Sequence, residues 1–253
     1  MKYDMERVLD LALDIGEEIL RCGGEIRRAE DSLTRVCKAY GSERVDVFCI
    51  TSVIILTVHA DGRILSQTRR IAGYGNNMAQ LEAVNALCRR ICAQPGDPTD
   101  VKAQLADIRS GMVMKRWRKW LGGVFGAGGF TLFFGGNAMD ALCAALISLM
   151  VSAMDIFVYR NDINRLLYTL ICSCLSGLAA VGLVRVGMGQ NTAAIMIGVI
   201  MLLIPGVALT NSVRDMLGGD VIAGLLRLVE SVLLAAAIAG GFAMAMLVSG
   251  MLA

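Results

Sequence analysis

The residues best suited to chemistry lie in a polar stretch, residues 211–230, between two apolar segments of the sequence. Arg227 and Glu230 are three residues apart, a spacing that places both side chains on one face of a helix. A charged pair inside a membrane span costs enough free energy to be a functional candidate by default, and the alternative is a structural pair packed against another subunit. The same stretch contributes four more candidates: Asn211, Arg214, Asp215 and Asp220.

A proline interrupts the apolar segment that precedes this stretch. Pro205 removes a helical hydrogen bond, so the freed carbonyl needs a partner inside the protein or in a watery cavity. Interrupted helices are common at the substrate sites of transporters, and a simple kink near a helix end is the alternative. Pro205 and Gly206 are therefore candidate site residues. Asp155, in another apolar segment, is a further candidate, and Asp140 is expected to cap an outer helix end.

Histidine and cysteine show no pattern typical of catalysis or metal binding. His59 is the single histidine and falls at the end of a predicted hairpin, where a solvated or packed role is expected. The eight cysteines lack the spacing of a zinc site, and Gly73 and Gly75 do not complete a phosphate-binding fingerprint. No catalytic residue, metal or cofactor is predicted. The net charge of +2 does not indicate a nucleic-acid partner.

Apolar residues and charges divide the sequence into two halves. Apolar residues make up 56% of the chain, no lysine follows Lys119, and most charges precede Trp120. We predict a soluble α+β domain over residues 1–115 and a membrane α-helical bundle of about five transmembrane helices over residues 116–253. The predicted spans are 121–136, 138–158, 166–186, 192–209 and 221–248.

The distribution of basic residues predicts the orientation of the spans. Residues 115–120 combine four cations with two tryptophans, which is typical of a cytoplasmic membrane interface. If the first span runs outward, Arg160, Arg165 and Arg214 fall inside and only Arg185 falls outside. The positive-inside rule therefore predicts a cytosolic N-terminus.

The first half is expected to place helices over a small sheet. Apolar residues recur at helical spacing over residues 8–19, and the acids between them are typical of a solvated helix face. A second helix is predicted for residues 25–40. Two later helices are expected: one capped by either Asn76 or Asn77 and running to about Ala93, and a short one over residues 99–111.

The strand region of this domain is predicted from residue type and turn chemistry. Residues 45–59 are rich in valine, isoleucine and threonine, and Asp61-Gly62 separates them from residues 64–71. This pattern predicts a β-hairpin with a tight turn. The apolar run Val53–Val58 predicts a strand that is buried on both faces.

Four segments taken in order resemble the threonine/serine exporter family over essentially the whole chain. They are Gly23-Gly24-Glu25-Ile26-Arg27-Arg28-Ala29-Glu30, Ile204-Pro205-Gly206, Asn211-Ser212-Val213-Arg214-Asp215, and the stretch from Gly219-Asp220 to Glu230. The chain is similar to members that have an N-terminal cytosolic domain and about five spans, in contrast to the longer fused form. Split members resemble one half of a two-component exporter linked to succinate.

The resemblance implies a multi-pass protein of the cytoplasmic (plasma) membrane that exports small hydrophilic metabolites, driven by the proton motive force. The implied substrates are amino acids such as threonine and serine, or a dicarboxylate such as succinate. The implied partners are protons, the lipid bilayer, and a second small membrane subunit or further copies of the chain. As a mechanism, Arg214 or Arg227 would bind a substrate carboxylate, and Glu230 or Asp215 would carry the coupling proton.

A membrane-anchored enzyme or scaffold, acting through the cytosolic domain, is the competing interpretation. An enzyme would need a catalytic cluster within residues 1–115, and hydrolysis by this domain is not excluded. Polar residues and a proline inside the spans favour transport, because a simple anchor needs neither.

Overall fold

The computed structural model describes residues 3–73, 75–111, 116–161 and 164–251. Lys115 and the side chains of Arg116 and Arg160, which the orientation argument uses, lie outside the described part. The elements in chain order are α1 Met5–Arg21, α2 Ile26–Ala39, β1 Arg44–Ile50, β2 Val53–Ala60, β3 Arg63–Arg70, α3 Met78–Ala93, α4 Pro98–Gly111, α5 Arg116–Phe133, α6 Ala138–Asn161, α7 Arg165–Arg185, α8 Thr192–Leu203, α9 Gly206–Leu217 and α10 Val221–Met251.

The chain forms two compact units, and both are discontinuous in sequence. The first unit comprises Met1–Val113 and Gly206–Val229, and the second comprises Met114–Pro205 and Glu230–Ala253. The units therefore do not coincide with a division at residue 115. Helix α9 and the first turns of α10 contact the loop between α1 and α2, and Ala223 joins the core of the N-terminal helices and sheet.

The sheet of the first unit is antiparallel, with the strands in the order β1-β2-β3. The predicted hairpin is confirmed as β2 and β3, whose register pairs Ala60 with Arg63 across the turn. Asp61 and Gly62 have φ angles of 50° and 70°. Two successive residues with positive φ match the twist of the flanking strands, which explains the Asp-Gly pair. The region 45–59 is not one strand, because it turns at Thr51-Ser52 into β1 and β2.

The prediction that the run 53–58 is buried on both faces is wrong. Ile54, Leu56 and Val58 are fully buried, whereas Ile55 between them is 38% exposed. Alternate residues of a strand point to opposite faces, and α1 and α2 pack against this sheet. One face of β2 therefore joins the core, and an apolar residue on the other face is tolerated without cover.

The acids of α1 are not the solvated face that their alternation with apolar residues predicts. Asp14 and Glu18 are only 5% and 4% exposed. Arg69 of β3 bridges α1, because its Nη1 lies 2.6 Å from Asp14 Oδ1 and its Nη2 lies 2.6 Å from Asp10 Oδ1. Lys102 of α4 pairs with both aspartates. The hydrogen bond and charge of Lys102 hold the pKa of Asp10 below its usual value, although burial opposes this.

Glu18 is the innermost member of this ion-pair group. Arg109 Nε of α4 lies 2.5 Å from Glu18 Oε2, and Gln80 Nε2 of α3 donates to Glu18 Oε1. The partners of α1 thus come from elements 50 to 90 residues later in the chain. Periodicity within α1 could not reveal them.

The second unit packs the helices α5–α8 and the rest of α10 around a core of small and apolar residues. A Cβ on Gly198 of α8 would lie only 2.0 Å from Thr131 Oγ1 of α5, so glycine permits these two helices to approach closely. Large apolar side chains face outward, among them Phe125 at 75% and Leu247 at 67% exposure. An apolar exterior of this kind is typical of contact with lipid.

Within the described residues, three helices are long and apolar enough to cross a membrane, or four if α8 and α9 form one span. The three are α6, through its segment Ala138–Asp155, α7 and α10. Helix α5, which corresponds to the first predicted span, is 18 residues long and includes Arg116, Arg118 and Lys119. The chain is thus a helical membrane protein with a small N-terminal antiparallel sheet.

Replacing Arg69 tests the buried ion pairs of α1. We expect Arg69→Met to lower the free energy of unfolding by about 2 kcal/mol, because two carboxylates lose their cation while the partly exposed site remains screened by water. Thermal melting of the full chain in detergent measures the loss. Arg63→Met, on an exposed position of the same strand, is the matched control, and an equal effect of both variants would contradict the assignment.

Candidate functional site

The loop between α1 and α2 exposes backbone groups that neither helix satisfies. Helix α1 ends at Arg21, and Gly23 adopts a φ of 88° while its N–H bonds Leu20 O. A Cβ on Gly24 would lie 2.7 Å from Ile19 O, so this position requires glycine. Glu25 is extended and α2 begins at Ile26. The carbonyls of Gly23 and Gly24 and the N–H of Ile26 thus need partners elsewhere.

Three polar side chains of α9 and α10 supply these partners. Asn211 Nδ2 donates to Gly23 O at 2.9 Å, and Arg227 Nη2 donates to Gly24 O at 3.3 Å. Asp215 Oδ1 accepts from Ile26 N at 3.3 Å. We call Asn211, Asp215 and Arg227, together with the loop Gly23–Ile26, the Asp215 cluster.

An ion pair closes the Asp215 cluster. Arg227 Nη1 lies 3.0 Å from Asp215 Oδ2, and the two side chains are 7% and 1% exposed. Removing one partner of such a buried pair leaves an uncompensated charge, which costs about 3–5 kcal/mol. The cluster therefore holds the loop against α9 and α10 more firmly than a surface pair would.

The turn between α9 and α10 positions the two charges. Asn211 and Asp215 are four residues apart on α9 and so share a face. Gly219 has a φ of 101°, and Asp220 N bonds Asp215 O at 2.9 Å. A Cβ on Gly224 would lie 2.7 Å from Ser212 O, so glycine permits the two helices to approach closely enough for Arg227 to reach Asp215.

Two further carboxylates lie at the edge of the cluster. Glu25 pairs with Arg214, whose side chain is 61% exposed, and a pair this exposed contributes little to stability. Glu30 accepts from Cys49 N at 2.9 Å. Burial raises the pKa of Glu30, the Cys49 N–H opposes the rise, and the charge of Asp220 adds to it. Asp220 itself immediately precedes α10.

The remaining candidates lie outside the Asp215 cluster. Asp155 is in the second unit, where Lys119 Nζ lies 2.7 Å from its Oδ2 and the Tyr168 hydroxyl donates to its Oδ1. Glu230 is exposed and also belongs to the second unit. Arg227 is paired with Asp215, a partner that the three-residue spacing to Glu230 did not indicate.

Pro205 and Gly206 mark the break between α8 and α9. Ile204 is extended, with φ −60° and ψ 129°, as steric contact with a following proline favours. Helix α9 then restarts at Gly206. The predicted interruption is confirmed, and the polar residues that follow it are those of the Asp215 cluster.

Asp140 caps a helix end, as predicted, and does more. Its Oδ2 accepts from Asn137 N while its own N–H bonds Asn137 Oδ1, a reciprocal cap of α6. Its Oδ1 accepts from the N–H groups of Gln190 and Asn191, just before α8. This buried carboxylate therefore ties the start of α6 to the start of α8.

The sequence did not predict that the Gly23–Ile26 loop belongs to the cluster. In the sequence, Gly23 and Gly24 are recognised only as part of a segment that carries the family resemblance. One sequence signal could have indicated this loop. Two successive glycines precede the start of a helix that has no capping serine, threonine, aspartate or asparagine. Among the described residues, no group of three histidine, cysteine, aspartate or glutamate side chains is arranged to hold a metal ion.

Breaking the buried ion pair should destabilise the protein. We expect Arg227→Met or Asp215→Asn to lower the free energy of unfolding by about 3 kcal/mol, and the double variant to lose less than the sum, because the two charges compensate each other. Thermal melting of the full chain in detergent measures this. Arg214→Met is the control, with an expected loss of about 0.5 kcal/mol. Additive losses would contradict a direct pair.

Glu30 should make stability depend on pH. A carboxyl whose pKa is raised in the folded state adds stability that is complete below its unfolded pKa and lost as pH rises through the folded pKa. The melting temperature should therefore fall on going from weakly acidic to neutral pH, and Glu30→Gln should flatten that fall. Glu82→Gln, at an exposed position of α3, should leave the slope unchanged. An unaltered slope in Glu30→Gln would exclude this role.

Comparison with known proteins agrees with the resemblance. The family model described as "Putative threonine/serine exporter" matches residues 10–249. A Klebsiella aerogenes protein named "Probable succinate transporter subunit YjjP" is 26% identical over 263 residues, covering 99% of this chain and 97% of the relative. The Escherichia coli K12 protein of the same name is 26% identical over 259 residues, covering 99% and 98%. No solved structure matches the chain significantly.

Because the family model covers most of the sequence, the chain belongs to the threonine/serine exporter family of membrane transport proteins.

Proposed function

We propose that the chain is a subunit of a secondary transporter that uses the proton motive force to export small hydrophilic metabolites across the cytoplasmic membrane. The cargo would be an amino acid of the threonine or serine type, or a dicarboxylate such as succinate. The observation that carries the proposal is the buried Asp215–Arg227 pair, placed directly after the interruption at Pro205. The family match and the names of the two relatives support it.

The geometry of the pair suggests how a proton on Asp215 controls the binding of a carboxylate to Arg227. Arg227 has one Nη bonded to Asp215 and the other to Gly24 O. Protonation of Asp215 removes the negative partner of Arg227, whose guanidinium can then bind the carboxylate of a substrate with two parallel hydrogen bonds. Release of the substrate restores the original pair when Asp215 loses its proton. Asp215 and the substrate carboxylate thus compete for Arg227, and a proton on Asp215 favours the substrate.

The length of α10 supports a position of the Asp215–Arg227 pair at the edge of the membrane. The helix has 31 residues, or about 46 Å, whereas about 20 residues span the hydrocarbon core. The residues from Glu230 onward are sufficient for the crossing, so the proposal shortens the predicted span 221–248 and leaves Arg227 before it. With the N-terminus in the cytosol, the Asp215 cluster faces the compartment from which cargo is exported.

The proposal includes five spans and a partner. Helix α5 would complete the set as a short first span, with its cations at the cytoplasmic interface. Both relatives are named as subunits, and a second small membrane protein or further copies of this chain would complete the transport path.

Transport by the reconstituted protein tests the proposal. Vesicles that contain the full chain, with and without the proposed second membrane subunit, are assayed with labelled succinate, threonine and serine. We expect Asp215→Asn to keep counterflow but to lose pH-driven accumulation, because a permanently neutral side chain cannot carry a proton. Arg227→Gln should reduce both about tenfold, the cost of losing a charged hydrogen bond.

Arg214→Gln is the matched control and should retain most activity, because its pair with Glu25 is exposed. Each variant is compared at equal amounts of inserted, monodisperse protein. Wild-type pH-driven transport by Asp215→Asn would exclude Asp215 as the proton carrier. Failure of the wild-type protein with every substrate, with and without the partner, would overturn the transport function.

A further inference from the structure

A cleft of about 420 Å³ lies between α2 and α3, away from the Asp215 cluster. Its volume is within the range of about 300–1,000 Å³ that is usual for small-molecule sites. The lining residues are Arg28, Asp31, Ser32, Arg35, Asn85, Cys88, Arg89 and Cys92.

The lining follows from helical spacing on two packed helices. Helix α2 contributes positions 28, 31, 32 and 35, and α3 contributes positions 85, 88, 89 and 92, so each set forms one stripe along its helix. Cys88 is 6% exposed and forms part of the floor. Burial raises the pKa of the Cys88 thiol to about 12, so at neutral pH it adds no negative charge to the floor.

The charge of the cleft is strongly positive. Three arginines line it against one aspartate, and Arg35 Nε lies 2.9 Å from that aspartate, Asp31. Among the described residues, no acid forms an ion pair with Arg28 or Arg89. Two guanidinium groups therefore remain available on opposite walls, with a serine hydroxyl and an asparagine amide beside them. Guanidinium donors match the oxygens of carboxylates and phosphates.

We propose that this cleft binds a small dianion, either a phosphate or a dicarboxylate, through Arg28 on one wall and Arg89 on the other. Ser32 and Asn85 donate additional hydrogen bonds. Arg28 lies two residues after Ile26, in the first turn of the helix whose start is bonded to Asp215. A dianion bound in the cleft therefore contacts the same helix whose first residue bonds Asp215.

Binding to the purified full chain in detergent tests this site without measuring transport. Isothermal titration at low salt uses inorganic phosphate and succinate as probes, with acetate as the monoanion. We expect saturable binding of one dianion, weakened about tenfold by Arg28→Gln or Arg89→Gln, because each removes a charged hydrogen bond. Tighter binding of phosphate identifies a phosphoryl ligand, and tighter binding of succinate identifies a dicarboxylate.

Two control variants distinguish the cleft from other sites. Arg90→Gln alters the neighbouring exposed arginine of α3, which does not line the cleft, and should change affinity less than twofold. A succinate signal abolished by Arg227→Gln but retained in Arg28→Gln and Arg89→Gln would belong to the transport site and would overturn the proposal. Absence of saturable binding by both dianions, or equal binding of acetate, would also overturn it. Loss of transport alone leaves this measurement unaffected.

Discussion

The arrangement of the first unit depends on one buried ion pair, between Asp215 and Arg227. Both charges lie almost completely out of water, so each is tolerated only while the other is present. Their remaining hydrogen-bonding capacity goes to the backbone of the Gly23–Ile26 loop. The pair therefore holds the two helices after the Pro205 break and the N-terminal domain in one compact unit. Unlike a contact between apolar side chains, an ion pair can be altered by a proton or by a competing anion.

Local chemistry in the sequence was sufficient to predict most elements. Asp61-Gly62 predicted the hairpin because few residue pairs adopt two positive φ angles. The asparagine pair at 76 and 77 predicted the start of α3, and in the structure the Asn77 side chain accepts from Gln80 N. Pro205 predicted the helix break. Each of these signals acts within a few residues, so no knowledge of the tertiary structure is needed to interpret it.

Partners that are distant in sequence could not be predicted in the same way. The spacing of Arg227 and Glu230 suggested a pair within one helix, yet Arg227 meets Asp215 on the preceding helix. The acids of α1 resembled a solvated face because Arg69, Lys102 and Arg109 come from elements far along the chain. Predicting that only one face of β2 is buried also required knowing which side of the sheet the helices cover. In each case the missing information was which surfaces meet.

The discontinuity of the first unit has a consequence for biosynthesis. The segment Gly206–Val229 starts to leave the ribosome 93 residues after Val113, which at about 5–20 residues per second is a delay of roughly 5 to 20 seconds. During that interval the carbonyls of Gly23 and Gly24 lack their partners, and the core lacks the cover of Ala223. The first unit thus completes its fold only after helices α5 to α8 have been synthesised.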